Sequence, residues 1–350
     1  MRVINPEALL LDSANVNPYQ FIERIGRTCY KSTDKITEDS AYKFVDGLCN
    51  RKHYAMLEHY WVHLVTNYEL KEVELAFKSL AVNTFSNLGG LTDLVKFVHV
   101  TDTDRSIYIS APLRVFLELN DKLIECEQSH IGFPIVVQSF MYHVAMAFPN
   151  MFDVGIYQEN LPTYLKSRVT IVPDQKGFID KIKTEMYLTD DAIVDKEIMK
   201  HRTHTVLFVC DRGVSHELVR HRPCSFAQES TRYCNYSNDK FGNELTFIKP
   251  CFFETGSFKY LDWEYSCKES ENMYFSLIRR GATPQEARSV LPNSIKTEVI
   301  VTANEKEWQH IIDLRYRGIT GSPHSQMKEV MSFAVPQLVC ASQGRLKVGE

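Results

Sequence analysis

Apolar residues recur at helical spacing twice near the N-terminus. Phe21, Ile22, Ile25 and Cys29 share one face over residues 19–30, and Tyr42, Phe44, Val45 and Leu48 repeat the pattern over 40–50. Both predict amphipathic helices covering a sheet. Residues 60–66 alternate aromatic and aliphatic side chains, the pattern of a half-buried strand. Residues 70–82 and 134–148 predict further helices, the second opened by Pro134 in its first turn. Val137, Phe140, Met141, Val144 and Phe148 give that helix a stripe suited to a core. Residues 96–100 and 106–110 predict a short strand pair. Residues 173–200 are charged and poor in aromatics, which predicts solvent-facing helix and loop. No chemistry is visible in this middle third.

From residue 203 the punctuation sharpens. Residues 205–210 predict an apolar, β-branched strand, and 211–213 turn it into a helix near 214–221 with Val214, Leu218 and Val219 inward. Glu217, Arg220 and His221 stand three and four residues apart and share a helical face. Pro223 ends that helix, leaving 223–234 as a loop whose amides are free to meet a ligand. A polar turn over 235–243 precedes a strand at 244–248, and a helix over 268–280 stops at Gly281. Thr283 and Glu286 form a capping box with Pro284 just inside it, opening a short helix closed before Pro292. A strand over 296–302 leads to Asn304, a start signal for a helix carrying Trp308, Ile311, Ile312 and Arg315 on one face. Arg is rarely buried unpaired. Arg315 therefore reads either as a terminal cation favoured by the helix dipole or as a functional group. Residues 318–323 form a loop, and His324 opens a final helix through 335. The sum is an α+β chain.

Composition narrows the classes. The chain has 350 residues, 44% hydrophobic and 24% charged, with a net charge of −4, as in soluble globular proteins. A general nucleic-acid binder would more often be basic overall. The nine cysteines are scattered with no Cys-x-x-Cys pair, which argues against a zinc site or disulfide framework and for reduced thiols in a cytoplasmic setting. The first six residues lack the apolar core of a signal peptide, and no apolar run is long enough to span a bilayer.

The densest chemistry lies in residues 220–233, where Arg220, His221, Arg222, Gln228, Glu229, Ser230, Thr231 and Arg232 stand close together. Three guanidinium groups this near repel one another by about 1–4 kcal/mol per pair unless anions sit between them, and their planar forks suit phosphate oxygens. A solvated basic face or a nucleic-acid strip is the simpler alternative. Gln228, Glu229 and Ser230 add acceptors and small donors that such a strip does not need. The mixture reads as a pocket for a phosphorylated small molecule. A second candidate is His53 with Glu58 and His59 just before the first strand. A third metal ligand is not visible there, so no metal is assigned.

Arg220-His221-Arg222, seven intervening residues, Ser230 and then Arg232 resemble the signature of the flavin-dependent thymidylate synthases (the ThyX family). Further matches follow in order: His53 with Glu58 and His59, the run from Glu286 to Pro292, Thr297, Asn304, Leu314-Arg315 and His324-Ser325-Gln326. They cover residues about 15–66 and 203–335. The resemblance implies a ThyX-like fold, α+β with a mostly antiparallel sheet flanked by helices, with a catalytic domain formed by 1–69 and 201–350, and a long central insertion over 70–200 onto which nothing carries over.

It also implies reductive methylation of dUMP to dTMP, with methylenetetrahydrofolate as carbon donor and FAD passing on hydride from NADPH. Arg315 would then stabilise charge on the pyrimidine. Glu217, Arg220, Gln228, Glu229, Ser230, Thr231, Arg232 and Arg288 would complete the dUMP site. His53, Glu58, Arg220, His221, Arg222, Gln228, Asn304, His310 and His324 would meet FAD. The family is tetrameric with shared active sites, so a homotetramer is implied, with neither membrane nor nucleic acid as partner. Glu217, Ala55, Ala227, Gln228 and His310 depart from the commonest family residues, and Cys224 reads as a small loop residue rather than a nucleophile. Two rivals stand beside this: another flavin oxidoreductase, which would not need Arg288 and Arg315, and a phosphate-reading nucleic-acid module.

Overall fold

The computed structural model describes residues 1–11, 16–67, 95–103, 105–128, 135–158, 161, 166, 169–238 and 241–349. The helix expected over 70–82 and the first-turn Pro134 lie outside them. Two compact units divide the chain: Met1–Asp12, Arg24–Ile36 and His204–Glu350 form one, Ser13–Glu23 and Thr37–Thr203 the other. Residues 37–67, grouped with the C-terminal part in the sequence reading, thus cluster with the central segment. The cause is strand pairing, because Trp61–Asn67 lies between Ser106–Pro112 and Val169–Ile171.

That sheet of the second unit is antiparallel, in the order His99–Asp102, Ser106–Pro112, Trp61–Asn67, Val169–Ile171. Every residue of Ser106–Pro112 is buried, because helices cover both faces. Ile107, Ile109, Ala111, Val62 and Leu64 point to one core, with Val45 and Leu48 of the helix Ser40–Asn50 and Met141 and Val144 of Ile135–Ala147. The alternate positions Tyr108 and Val65 face a second core, as the two-residue period of a strand requires. Phe178, Ile179 and Ile182 of Gln175–Glu185 and Val194 and Ile198 of Asp191–His201 fill it. Residues 173–200 are therefore not simply solvent-facing. Their charges mask a buried stripe.

The first unit holds a parallel pair, Arg2–Ile4 with Thr246–Ile248, and a four-stranded sheet in the order Glu7–Leu11, Thr203–Asp211, Lys296–Asn304, Ser225–Gln228. Ser225–Gln228 runs antiparallel against Val299 to Thr302, so the loop expected over 223–234 begins only after a strand. Ser225 and Ala227 are buried while Phe226 and Gln228 are less so. Four residues of mixed polarity signal too weakly to be read without their partner. The edge strand Glu7–Leu11 is capped from the side: Gln337 accepts from Leu10 N at 2.9 Å and donates to Ala8 O at 2.9 Å. Gln337 sits on the helix Ser325–Ala341, which buries Met327, Val330, Met331, Ala334 and Leu338. Among the described residues no helix is long and apolar enough to cross a membrane.

Candidate functional site

Asp211 at the end of its strand caps the helix Arg212–Leu218, accepting from Val214 N at 2.9 Å. That cap fixes where the helix starts and so where Glu217 and His221 fall at its end. Asn304 does the same for Glu305–Ile312, accepting from Glu307 N at 2.9 Å. Beyond Ile312 the chain widens into one π turn, Asp313–Arg317, closed by Gly318 at φ 70°. Such turns depart from regular helical hydrogen bonding and often present functional side chains. Here the side chain is Arg315.

Glu217, His221 and Arg315 meet. Arg315 donates from Nε to His221 Nε2 at 2.9 Å, from Nη1 to Glu217 Oε2 at 2.5 Å and from Nη2 to the Glu217 carbonyl at 3.3 Å. His221 is buried, and that burial together with Arg315, His310 and Arg220 lowers its pKa from 6.5 to about 4. It is neutral at physiological pH, with the proton on Nδ1 and a lone pair at Nε2 for Arg315. The exposed His310 ring stands edge-on to it at 5.7 Å. Three of the five guanidinium N–H groups of Arg315 are engaged in these bonds, and two have no partner among the described residues.

A second group lies around the strand end. Arg232 Nε donates to Gln285 Oε1 at 2.9 Å, and Arg288 Nη1 lies 3.5 Å from Thr231 Oγ1. Ser230 is tied by its backbone N–H to Cys29 O at 3.0 Å. Glu229 is buried beneath them, accepting from Tyr236 OH at 3.1 Å and from Lys296 Nζ at 2.9 Å. Its carboxylate serves as an anchor for the loop. Gln228 donates to Ser215 Oγ at 2.8 Å. Arg220, Arg222, Arg232 and Arg288 are exposed and pair with no carboxylate among the described residues. No hydrogen bond or ion pair joins this group to that of Arg315 within the described chain.

His324 is exposed beside Phe252 at 6.0 Å. His53 is exposed, Glu58 pairs with Arg114, and His59 is buried; all three belong to the second unit. Cys224 is buried, which pushes its thiol well above the ordinary range. Gln285 escaped the sequence reading. It lies inside the Thr283–Glu286 capping box, which explains its neighbours without it.

Residues 173–334 match the family model for the thymidylate synthase complementing protein, Thy1. The match opens inside the stretch set aside as an insertion, so its last part, 173–200, is shared with the family. The flavin-dependent thymidylate synthase of Pyrococcus furiosus is 35% identical over 121 residues, 34% of this chain and 49% of that one. The enzyme of the same name from Geobacter sulfurreducens is 30% identical over 143 residues, 41% and 56% of the two chains. A crystal structure of a UMP/dUMP methylase from Streptomyces cacaoi bound with 5-Br UMP has a TM-score of 0.34 at 19% identity, covering 49% of this chain and 86% of that one. The chain spans about half the length of the curated relatives it matches. In its C-terminal half, the chain is similar to the flavin-dependent thymidylate synthases.

Proposed function

We propose that the chain is a flavin-dependent thymidylate synthase, converting dUMP to dTMP with methylenetetrahydrofolate as carbon donor and FAD, reduced by NADPH, as hydride source. One observation carries this reading: Arg315 is held partly exposed by Glu217 and His221, with two N–H groups unengaged. Uracil is a poor carbon nucleophile, and methylation at its ring requires negative charge to develop there. A cation already fixed in place stabilises that charge without reorganising water. Glu217 and Arg220 flank the ring side of this site. Ser230, Arg232 and Arg288 take the nucleotide phosphate, with Gln285 orienting Arg232 and Thr231 beside Arg288.

The donor set fits an anionic flavin cofactor. Arg220 and Arg222 are cations without a carboxylate partner among the described residues, and the His221 ring between them in sequence meets the His310 ring edge to face. FAD supplies the hydride chemistry when bound, and the protein positions and polarises. His53, Glu58, Asn304 and His324 complete the flavin contacts on this reading. Asn304 commits its side-chain oxygen to the helix cap. Among the described residues no hydrogen bond or ion pair joins the Arg232–Arg288 group to the Arg315 group. A homotetramer whose copies share each site would unite them, in a cytoplasmic setting.

Tritium release from dUMP labelled at the ring carbon that gains the methyl, with and without FAD, tests the reaction. The expected protein is yellow, bleaches with NADPH and recovers in air. A colourless protein that takes up no FAD and binds oligonucleotides in a salt-dependent way would sink the proposal.

A further inference from the structure

We infer that the segment 345–349 is a strap that positions Arg315, acting through Gln309 and Asp313; the catalytic part of this rests on the function proposed above. The strap is tied to the helix Glu305–Ile312 at two levels. At the first, Arg345 lays its fork on Glu305, Nε to Oε2 at 2.7 Å and Nη2 to Oε1 at 2.9 Å. Both side chains are buried, and His204 Nε2 meets the same carboxylate at 2.9 Å. Trp308 Nε1 donates to the His204 carbonyl at 3.0 Å, so this buried group also fixes the next turn of the helix. Leu346 is fully buried beside it, with its N–H on Ser342 Oγ at 3.1 Å.

At the second level the Gln309 amide reads both backbone groups of one residue. Its Oε1 accepts from Lys347 N at 2.7 Å and its Nε2 donates to Lys347 O at 2.8 Å. The same Nε2 donates to Asp313 Oδ1 at 2.9 Å. Asp313 opens the π turn, and its Oδ1 also accepts from Arg317 Nη1 at 2.6 Å. At Gly349 an added Cβ would stand 3.2 Å from Arg317 Nε, so the strap backbone lies against the far end of the turn. A continuous chain of bonds therefore runs from Lys347 through Gln309 and Asp313 to Arg317. Arg315 lies between the last two.

The turn needs such support. A π turn is a rare, single-turn departure from the regular helical ladder, and here it closes on Gly318 in the left-handed region. Arg315 must nevertheless hold its guanidinium against His221 and Glu217. A misplacement of about 1 Å at a reacting group costs on the order of 10²-fold in rate. Gln309 and Arg345 touch neither Glu217 nor His221, so they are positioning residues. The bonds of Gln309 are exposed and so contribute little to global stability. Their effect is on register.

Gln309→Ala and Gln309→Met in the full chain test this, the second keeping the bulk of the side chain without its hydrogen bonds. In both, kcat for dTMP is expected to fall about 10-fold or more, with FAD uptake and Tm close to those of the parent. Hydrogen exchange at the amides of 313–319 should quicken in both variants with no substrate present. Arg345→Lys, which keeps charge but loses the fork, should quicken it as well. Unchanged exchange in the Gln309 variants overturns the strap. If the parent chain makes no dTMP, the proposed function fails, while the exchange measurement still decides whether 345–349 holds the turn. Normal kcat despite faster exchange overturns the role in positioning Arg315.

Discussion

Arg315 and His221, 94 residues apart in sequence, are joined by a 2.9 Å bond from Nε to Nε2. The bond requires a neutral imidazole, because a protonated ring has no lone pair to offer. The fold provides it by burying His221 among Arg315, His310 and Arg220, which lowers its pKa to about 4. The cation thus keeps its own acceptor available.

A titration follows from that pair. The His221 pKa is depressed, so the bond is intact above its ordinary value of 6.5 and is lost as pH falls through about 4. Imidazole NMR should show the assigned His221 ring titrating near 4, and in Arg315→Ala that midpoint should rise because a neighbouring positive charge is gone. A midpoint at 6.5 in the parent would show that the two side chains do not meet.

Arg315→Ala should leave FAD uptake close to normal and lower dTMP formation on the order of 10²–10³-fold, as for other deleted charges that stabilise a transition state. Rapid-quench turnover with saturating dUMP measures this. A loss smaller than three-fold would reject a role in the chemistry.

Arg232 and Arg288 are exposed, carry no carboxylate partner among the described residues, and each touches a polar neighbour, Gln285 or Thr231. Truncating either to Ala should weaken dUMP by about 10-fold or more, since a hydrogen bond to a charged group is worth about 1.5–3 kcal/mol. Deoxyuridine, which lacks the phosphate, should bind both variants as it binds the parent. An equal loss for nucleotide and nucleoside would move the phosphate elsewhere.

Cys224 stands inside the Arg-rich run, yet it is buried with its thiol pushed up. Reactive cysteines have lowered pKa values and exposure. Cys224→Ala should therefore retain most of the parent's turnover and flavin content. Complete loss of turnover with dUMP and FAD still bound would restore it as a nucleophile.

What the residue pattern revealed was local. The strand Trp61–Asn67, the Thr283–Glu286 box and the Asn304 cap each declare themselves within a few residues. Arg315 was visible as an anomaly on an apolar face, although the π turn that presents it was not. What stayed hidden depends on partners far along the chain. Ser225–Gln228 becomes a strand only because Val299 to Thr302 lies beside it. Gln309 is an ordinary helical polar residue until Lys347 comes back to it. The apolar stripe of Phe178, Ile182, Val194 and Ile198 is diluted by lysines and acids on the outer face.

The same distance effect hid a buried polar chain in the second unit. His63 Nδ1 lies 2.7 Å from Ser110 Oγ, which lies 2.9 Å from His201 Nδ1. His201 Nε2 is 2.8 Å from Thr101 Oγ1, whose hydroxyl donates to Glu197 Oε2 at 2.5 Å. That last donation makes Thr101 an acceptor from His201 Nε2–H. His201 Nδ1 must then accept from Ser110, and Ser110 must accept from His63 Nδ1–H. Every bond is made when both rings are neutral. A proton on His201 Nδ1 would turn two donors against one hydroxyl. Burial lowers His63 to about 4, despite Asp174, which acts the other way. His201 is also lowered well below its ordinary value, by burial first and then by His99, His63 and Lys200. Both pKa values are depressed, so this stability is fully present above pH 6.5 and is lost as pH falls toward 4. For His63 alone the loss is on the order of 3 kcal/mol. Urea midpoints of the whole chain should therefore drop steeply between pH 6.5 and 4, and His63→Gln should flatten that slope while lowering stability at pH 7.5. Equal slopes in parent and variant would mean that His63 takes up its proton as easily folded as unfolded.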